Sequence, residues 1–121
     1  MKKLLLITLI LTSLFSFWGC NKKTNYTQKE LINMITNNEP ANFVIDVRTH
    51  TEYNEKHIPR AINIPLDKIE ERISSSEYGI SKDDIIIVYC RSGNRSSQAK
   101  ELLKKLGYKN VYDFGAMSNY F

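Results

Sequence analysis

Ile85-Ile86-Ile87-Val88-Tyr89-Cys90-Arg91-Ser92-Gly93-Asn94-Arg95-Ser96 decides the fold. The continuous run from Ile85 to Tyr89 has the composition of a strand buried on both faces, as in a parallel sheet. A thiol follows at once, then a short polar loop with one glycine. Beyond it the apolar residues Ala99, Leu102, Leu103 and Leu106 recur at helical spacing. This order places Cys90 at the carboxyl end of a strand, ringed by backbone N–H groups at a helix N-terminus. Such a cup stabilises anions, so it lowers a cysteine pKa and suits a thiolate, a persulfide or an oxyanion.

Upstream, the pattern alternates between helix and strand. Thr27-Gln28-Lys29-Glu30 is a capping box, and Leu31, Ile32, Met34 and Ile35 give its helix an apolar face before Pro40 interrupts it. Phe43 to Val47 reads as a second buried strand, Thr51 to Glu55 as one helical turn, and Ala61 to Ile64 as a third strand. Asp67 to Ile73 is expected to be helical. Ser96 to Leu106 forms the helix after the loop, with Gly107 at its C-cap, and Val111-Tyr112 a last strand. Strands alternating with helices imply an α/β fold of three layers, α/β/α, around a parallel sheet of about five strands. Sites in such sheets form beyond the carboxyl ends of the strands. Asp46-Val47-Arg48 and Cys90 both fall there.

The N-terminal residues have a different character. Met1-Lys2-Lys3 is basic, Leu4 to Trp18 is predominantly apolar, and Gly19-Cys20 puts a small residue before a cysteine. This is the pattern of an export signal. The apolar stretch is shorter than the ~20 residues a membrane-spanning helix needs. The Gly19-Cys20 ending resembles a bacterial lipoprotein signal, which implies residues 1–19 removed, Cys20 lipidated, residues 20–25 as a tether and residues 26–121 as one domain. The expected location is then a bacterial membrane, facing the periplasm or the cell exterior.

The net charge of +4 falls to +2 without Lys2 and Lys3, which gives nucleic-acid binding little support. Cys20 and Cys90 are the only cysteines. With Cys20 carrying lipid, Cys90 has neither a disulfide partner nor a resolving thiol within the chain. Two histidines, His50 and His57, without clustered partners make no metal site.

Five stretches together resemble the rhodanese-like single-domain sulfurtransferases: Val44 to Arg48, Glu52-Tyr53, His57-Ile58-Pro59, Ala61 to Pro65 and Cys90 to Ser96. Arg60 departs from the usual glycine, Gly115-Ala116 from a Gly-Gly pair and Tyr120 from a tryptophan. The resemblance implies a five-stranded parallel sheet. It also implies that Cys90 accepts sulfane sulfur from a small anion such as thiosulfate and passes it to a thiol or cyanide, with no cofactor. A monomer is expected.

Cys90 is the expected nucleophile, with Arg91, Ser92, Gly93, Asn94, Arg95 and Ser96 around the bound sulfur and Asp46 and Arg48 as support. Arg91 is placed to attract an anionic donor. The planar fork of Arg95 is suited to buttress the loop against Asp46 or Glu52. Gly93 answers a backbone requirement. Ser96 is either the N-cap of the following helix or a donor to the sulfur. Cys90 to Arg95 is a Cys-x4-Arg spacing, one residue shorter than the cradle of the related phosphatases and arsenate reductases, and a smaller ring suits a persulfide better than a tetrahedral oxyanion. Those activities, and a non-catalytic binding module on the same fold, are the alternatives.

Overall fold

The computed structural model describes residues 24–37 and 42–121. The signal-like segment, Cys20 and Pro40 lie outside them. Four helices are described: α1 (Gln28–Asn37), α2 (His50–Glu55), α3 (Ile69–Arg72) and α4 (Asn94–Lys105). The strands are β1 (Asn42–Asp46), β2 (Ile62–Asn63), β3 (Ile85–Cys90) and β4 (Asn110–Ala116). All pair in parallel, in the order β2-β1-β3-β4.

The run Ile85 to Cys90 forms the central strand because each of its residues is buried, on alternating faces. Ile86, Val88 and Cys90 pack in one core with Ile69 and Ile73 of the α3 segment and Ala99 and Leu103 of α4. Ile85, Ile87 and Tyr89 pack in the other, with Leu31, Met34 and Ile35 of α1 and Ile58 after α2. Helices thus cover both faces, as the buried strand composition requires. Consecutive residues of β3, Tyr89 and Cys90, report to opposite layers.

Several boundaries differ from the sequence reading. The segment from Leu66 begins as a 3-10 turn, Leu66–Lys68, and becomes α-helical only over α3. β4 runs well past Val111-Tyr112, because a bulge opposite Val88 and Tyr89 lets it continue to Ala116. No fifth strand appears among the described residues. Ahead of α1 the Tyr26 ring meets Tyr112 edge-on at 4.7 Å, and Gln28 Nε2 donates to the Phe114 carbonyl at 3.2 Å.

The Thr27 capping box is present, with Glu30 N–H donating to Thr27 Oγ1 at 3.1 Å and Thr27 N–H to Glu30 Oε1 at 3.2 Å. Arg60 has φ of 73°, the left-handed region that glycine enters freely. Its guanidinium offsets that strain by donating to the Ile35 carbonyl near the end of α1, at 2.5 Å.

β1 is followed by α2 on one face and β3 by α4 on the other. The connections therefore diverge between β1 and β3, and the crevice of an open α/β sheet lies at such a switch point.

Candidate active site

Cys90 ends β3 with its side chain fully buried. The chain then turns through Arg91 and Ser92 into Gly93, whose φ of 98° is left-handed. This bend brings the Gly93 N–H back onto Cys90 Sγ at 2.9 Å. A non-glycine residue there would be strained. The fold-back also carries Gly93 against β4, where its absent Cβ would lie 3.8 Å from Gly115 Cα.

Ser96 lies on the first turn of α4 and is buried beneath the loop. The helix begins at Asn94 with Gly93 in the N-cap position, so Ser96 is not the cap. Its hydroxyl donates to the Gly93 carbonyl at 3.1 Å and accepts from Cys90 Sγ at 3.4 Å. Ser96 thus belongs to the thiol's own surroundings. When Cys90 ionises, the same hydroxyl can turn its proton to the sulfur.

Burial opposes ionisation of Cys90, but the Ser96 hydroxyl and the N–H groups of Ser96, Gly93 and Ser92 outweigh it, and the thiol pKa is lowered. The cup expected from the sequence is present. Its stabilisation comes from the Ser96 hydroxyl and the backbone donors, and the Arg95 charge is coupled to the thiol as well. Arg91 is exposed. The hydrogen bonds of Arg95 go to another partner.

Ser96→Ala is expected to raise the Cys90 midpoint in a pH profile of alkylation, while the wild-type midpoint stays below the ordinary thiol value of about 8.5. An unchanged midpoint in the variant would remove Ser96 from the stabilising set.

Arg95 forks onto Glu52, with Nη1 to Oε1 at 2.7 Å and Nη2 to Oε2 at 3.0 Å. Glu52 in turn closes a second capping box with Thr49 at the start of α2: Glu52 N–H donates to Thr49 Oγ1 at 3.2 Å, and Thr49 N–H to Glu52 Oε1 at 3.3 Å. The spacing Thr49-His50-Thr51-Glu52 carries that signal in plain sight. The connection after β1 is thereby tied to the loop after β3.

The Arg95 guanidinium, with Thr49, holds Glu52 down to about 2 against an ordinary 4.5. A depressed carboxylate pKa means a contribution to stability that is complete above 4.5 and lost as the pH falls through about 2. Glu52→Gln should therefore cost about 1 kcal/mol at neutral pH, the scale of a partly exposed bidentate pair. The melting-temperature gap to wild type should close in acid. A constant gap from pH 7 to 2 would contradict this.

Asp46 and Arg48 form a buried pair away from the sulfur. Arg48 Nη2 approaches Asp46 Oδ2 at 2.6 Å, Arg48 Nε reaches Oδ1 at 3.0 Å, and Arg48 N–H caps Oδ1 at 2.9 Å. Arg48 Nη2 also donates to the Lys56 carbonyl at 2.6 Å. The Tyr89 hydroxyl donates to Asp46 Oδ2 at 2.8 Å and accepts from the Ile58 N–H at 3.1 Å. The hydrogen bond to Asp46 raises the Arg48 pKa, and burial pushes the Tyr89 hydroxyl up. Tyr89 was legible only as a strand residue. Its burial on the face opposite Cys90 makes it the link from this network to the backbone of Cys90.

Of the remaining expected residues, Asn94 is exposed and its carbonyl accepts from Ser97 Oγ at 2.8 Å, so it serves the first turn of α4 rather than the cup. His57 stacks on Tyr53 at 3.8 Å, with Nδ1 2.8 Å from the Tyr53 carbonyl, and is structural.

The Rhodanese-like domain family matches over residues 27–118. This chain belongs to that family. Thiosulfate sulfurtransferase PspE of Escherichia coli is 41% identical over 75 residues, covering 62% of this chain and 70% of that protein. A putative mitochondrial thiosulfate sulfurtransferase of Schizosaccharomyces pombe is 40% identical over 85 residues, covering 63% of this chain and 60% of that one. Among solved structures, an E. coli rhodanese with anions is similar with a TM-score of 0.59 at 40% identity, over 64% of this chain and 89% of that one. The rhodanese-like match spans both the β1 connection and the Cys90 loop, and the chain is a rhodanese-family sulfurtransferase homologue.

Proposed function

We propose that the protein transfers sulfane sulfur through a persulfide on Cys90, with thiosulfate as a competent donor. The observation that carries this reading is the Gly93 N–H held 2.9 Å from a buried Sγ whose pKa is lowered. The Cys90 thiolate attacks the outer sulfur of thiosulfate. The sulfur–sulfur bond of the donor breaks, and sulfite leaves with its electron pair. The outer sulfur then carries the negative charge, which the loop N–H groups are positioned to spread. A thiolate or cyanide acceptor next attacks that sulfur and returns the electron pair to Sγ. No outside oxidant enters the cycle. The E. coli relative PspE is called a thiosulfate sulfurtransferase, which supports the choice of donor.

Phosphate chemistry is less suited to this site, because the loop arginine that would fork two phosphate oxygens is engaged by Glu52. Intact mass after incubation with thiosulfate tests the proposal. One added sulfur atom, mapped to the Cys90 peptide and removed by cyanide, is the expected result. An unmodified mass with Cys90 still alkylatable would overturn it.

The proposal extends to place: the protein is exported and held on a membrane by lipid at Cys20. Cys20→Ser is expected to move it from the membrane to the soluble extracytoplasmic fraction. Retention on the membrane would mean that the apolar segment itself is the anchor.

A further inference from the structure

Asn119 is a polar side chain beside the Cys90 loop to which no role has yet fallen. β4 pairs with β3 as far as Ala116, which stands opposite Cys90. The chain then turns at once into a 3-10 segment, Met117–Asn119, so these three residues lie beyond the carboxyl end of the sheet, where sites form. Asn119 is exposed, and its side-chain amide has no hydrogen-bond partner among the described residues.

Gly115 joins this segment to the loop. Its φ of 83° is left-handed, and its N–H donates to Asp113 Oδ1 at 2.9 Å, which fixes the bend of β4. A Cβ at Gly93 would lie 3.8 Å from Gly115 Cα, and a Cβ at Gly115 would lie 3.8 Å from Asn119 Nδ2. One bond of ~1.5 Å separates those two contacts, so the Asn119 amide stands no more than about 9 Å from the Cβ position of Gly93. Thiosulfate meeting Sγ through its outer sulfur, with a hydrogen bond at its oxygens, extends about 8 Å. Loop and amide are within the span of one small anion.

The departing half of that anion needs a donor. As its sulfur–sulfur bond breaks, negative charge gathers on the sulfite oxygens, the end of thiosulfate that points away from Sγ. The Gly93 N–H and the Ser96 hydroxyl are bonded at Sγ, and the Arg95 fork is closed on Glu52. We infer that the Asn119 amide donates to the sulfite oxygens of thiosulfate and so selects a sulfur donor that carries an oxyanion. The inference rests on the sulfurtransferase reading and places its donor specificity on a residue outside the Cys90 loop. The Cys90 thiolate attacks the outer sulfur, the sulfur–sulfur bond of the donor breaks, and sulfite leaves with the electron pair while the amide bonds the charge that grows on its oxygens.

Thiosulfate and inorganic tetrasulfide separate the oxygens from the charge, since both are anions with sulfane sulfur and only the first carries oxygen. The readout is the second-order rate constant for loading Cys90 with sulfur, followed by intact mass in quenched samples. Asn119→Ala is expected to slow loading by thiosulfate about fivefold, the worth of one exposed hydrogen bond to an anion. Loading by tetrasulfide should change less than about twofold, because that donor has no oxygen to bond. A merely structural role would slow both donors alike. Equal losses with the two donors, or no loss with either, would overturn the inference.

Sulfite added to Cys90→Ser, which forms no persulfide, reads the contact without turnover. It should shift the side-chain amide resonances of Asn119. Absence of that shift would refute the contact. Should wild-type Cys90 take up no sulfur from either donor while the shift persists, the anion contact stands and the transferase reading falls.

Discussion

Cys90→Ser is expected to lower thiosulfate-dependent sulfur transfer by about 10⁴-fold or more, the scale of loss when a covalent nucleophile is removed. The loop's N–H groups and Ser96 remain in the variant, but a hydroxyl presents almost no anion at neutral pH and forms no persulfide. The fold should survive. Sγ is fully buried, its partners are hydrogen-bonding groups, and oxygen is a smaller atom that still bonds to them. The melting temperature should therefore stay close to wild type while activity vanishes. Retention of measurable transfer by a well-folded Cys90→Ser protein would assign the chemistry to another group. If instead both proteins prove inactive yet bind thiosulfate equally, the domain is a binding module.

Asp46→Ala should be the most destabilising single change, at about 3–5 kcal/mol, because it leaves the Arg48 guanidinium buried without its carboxylate. The Tyr89 hydroxyl loses its acceptor in the same step. For a domain of this size the corresponding fall in melting temperature exceeds about 12 °C. Removing both charges, as in Asp46→Leu/Arg48→Met, should cost less than Asp46→Ala alone, since no uncompensated ion remains. A single variant within about 1 kcal/mol of wild type would show that water reaches the pair, and surface-like energetics would apply.

The central strand, the first capped helix and the strand-end position of Cys90 were legible because each rests on local chemistry: a buried apolar run, a Thr-x-x-Glu box, a thiol before a glycine loop. Asp46 and Arg48 were legible as support for the same reason, being two residues apart at a strand end. The role of Ser96 was left open, since choosing between cap and sulfur partner needs the left-handed Gly93 that displaces the cap by three residues. Tyr89 was hidden by its own hydrophobicity. Its hydroxyl meets an acceptor 43 residues away in the chain, on a strand whose register no local pattern specifies. The length of β4 was missed because its bulge, with Gly115 at φ of 83°, interrupts the alternation by which strands are recognised. Arg95 and Glu52 were paired correctly as one of two options, and the second capping box was the unused clue.

The seven-residue β4 forms the outer margin of the sheet, and a margin of that length is a template on which a second molecule's backbone can build. Here the template is spoiled at its far end. Gln28 spends its amide on the Phe114 carbonyl, Tyr26 stands edge-on against Tyr112, and the bulge at Phe114 and Gly115 twists the strand away from the straight course that a newcomer would have to follow. Edge-to-edge stacking of copies would start on such a margin, and the chain meets that risk with two side chains and a kink in place of another strand.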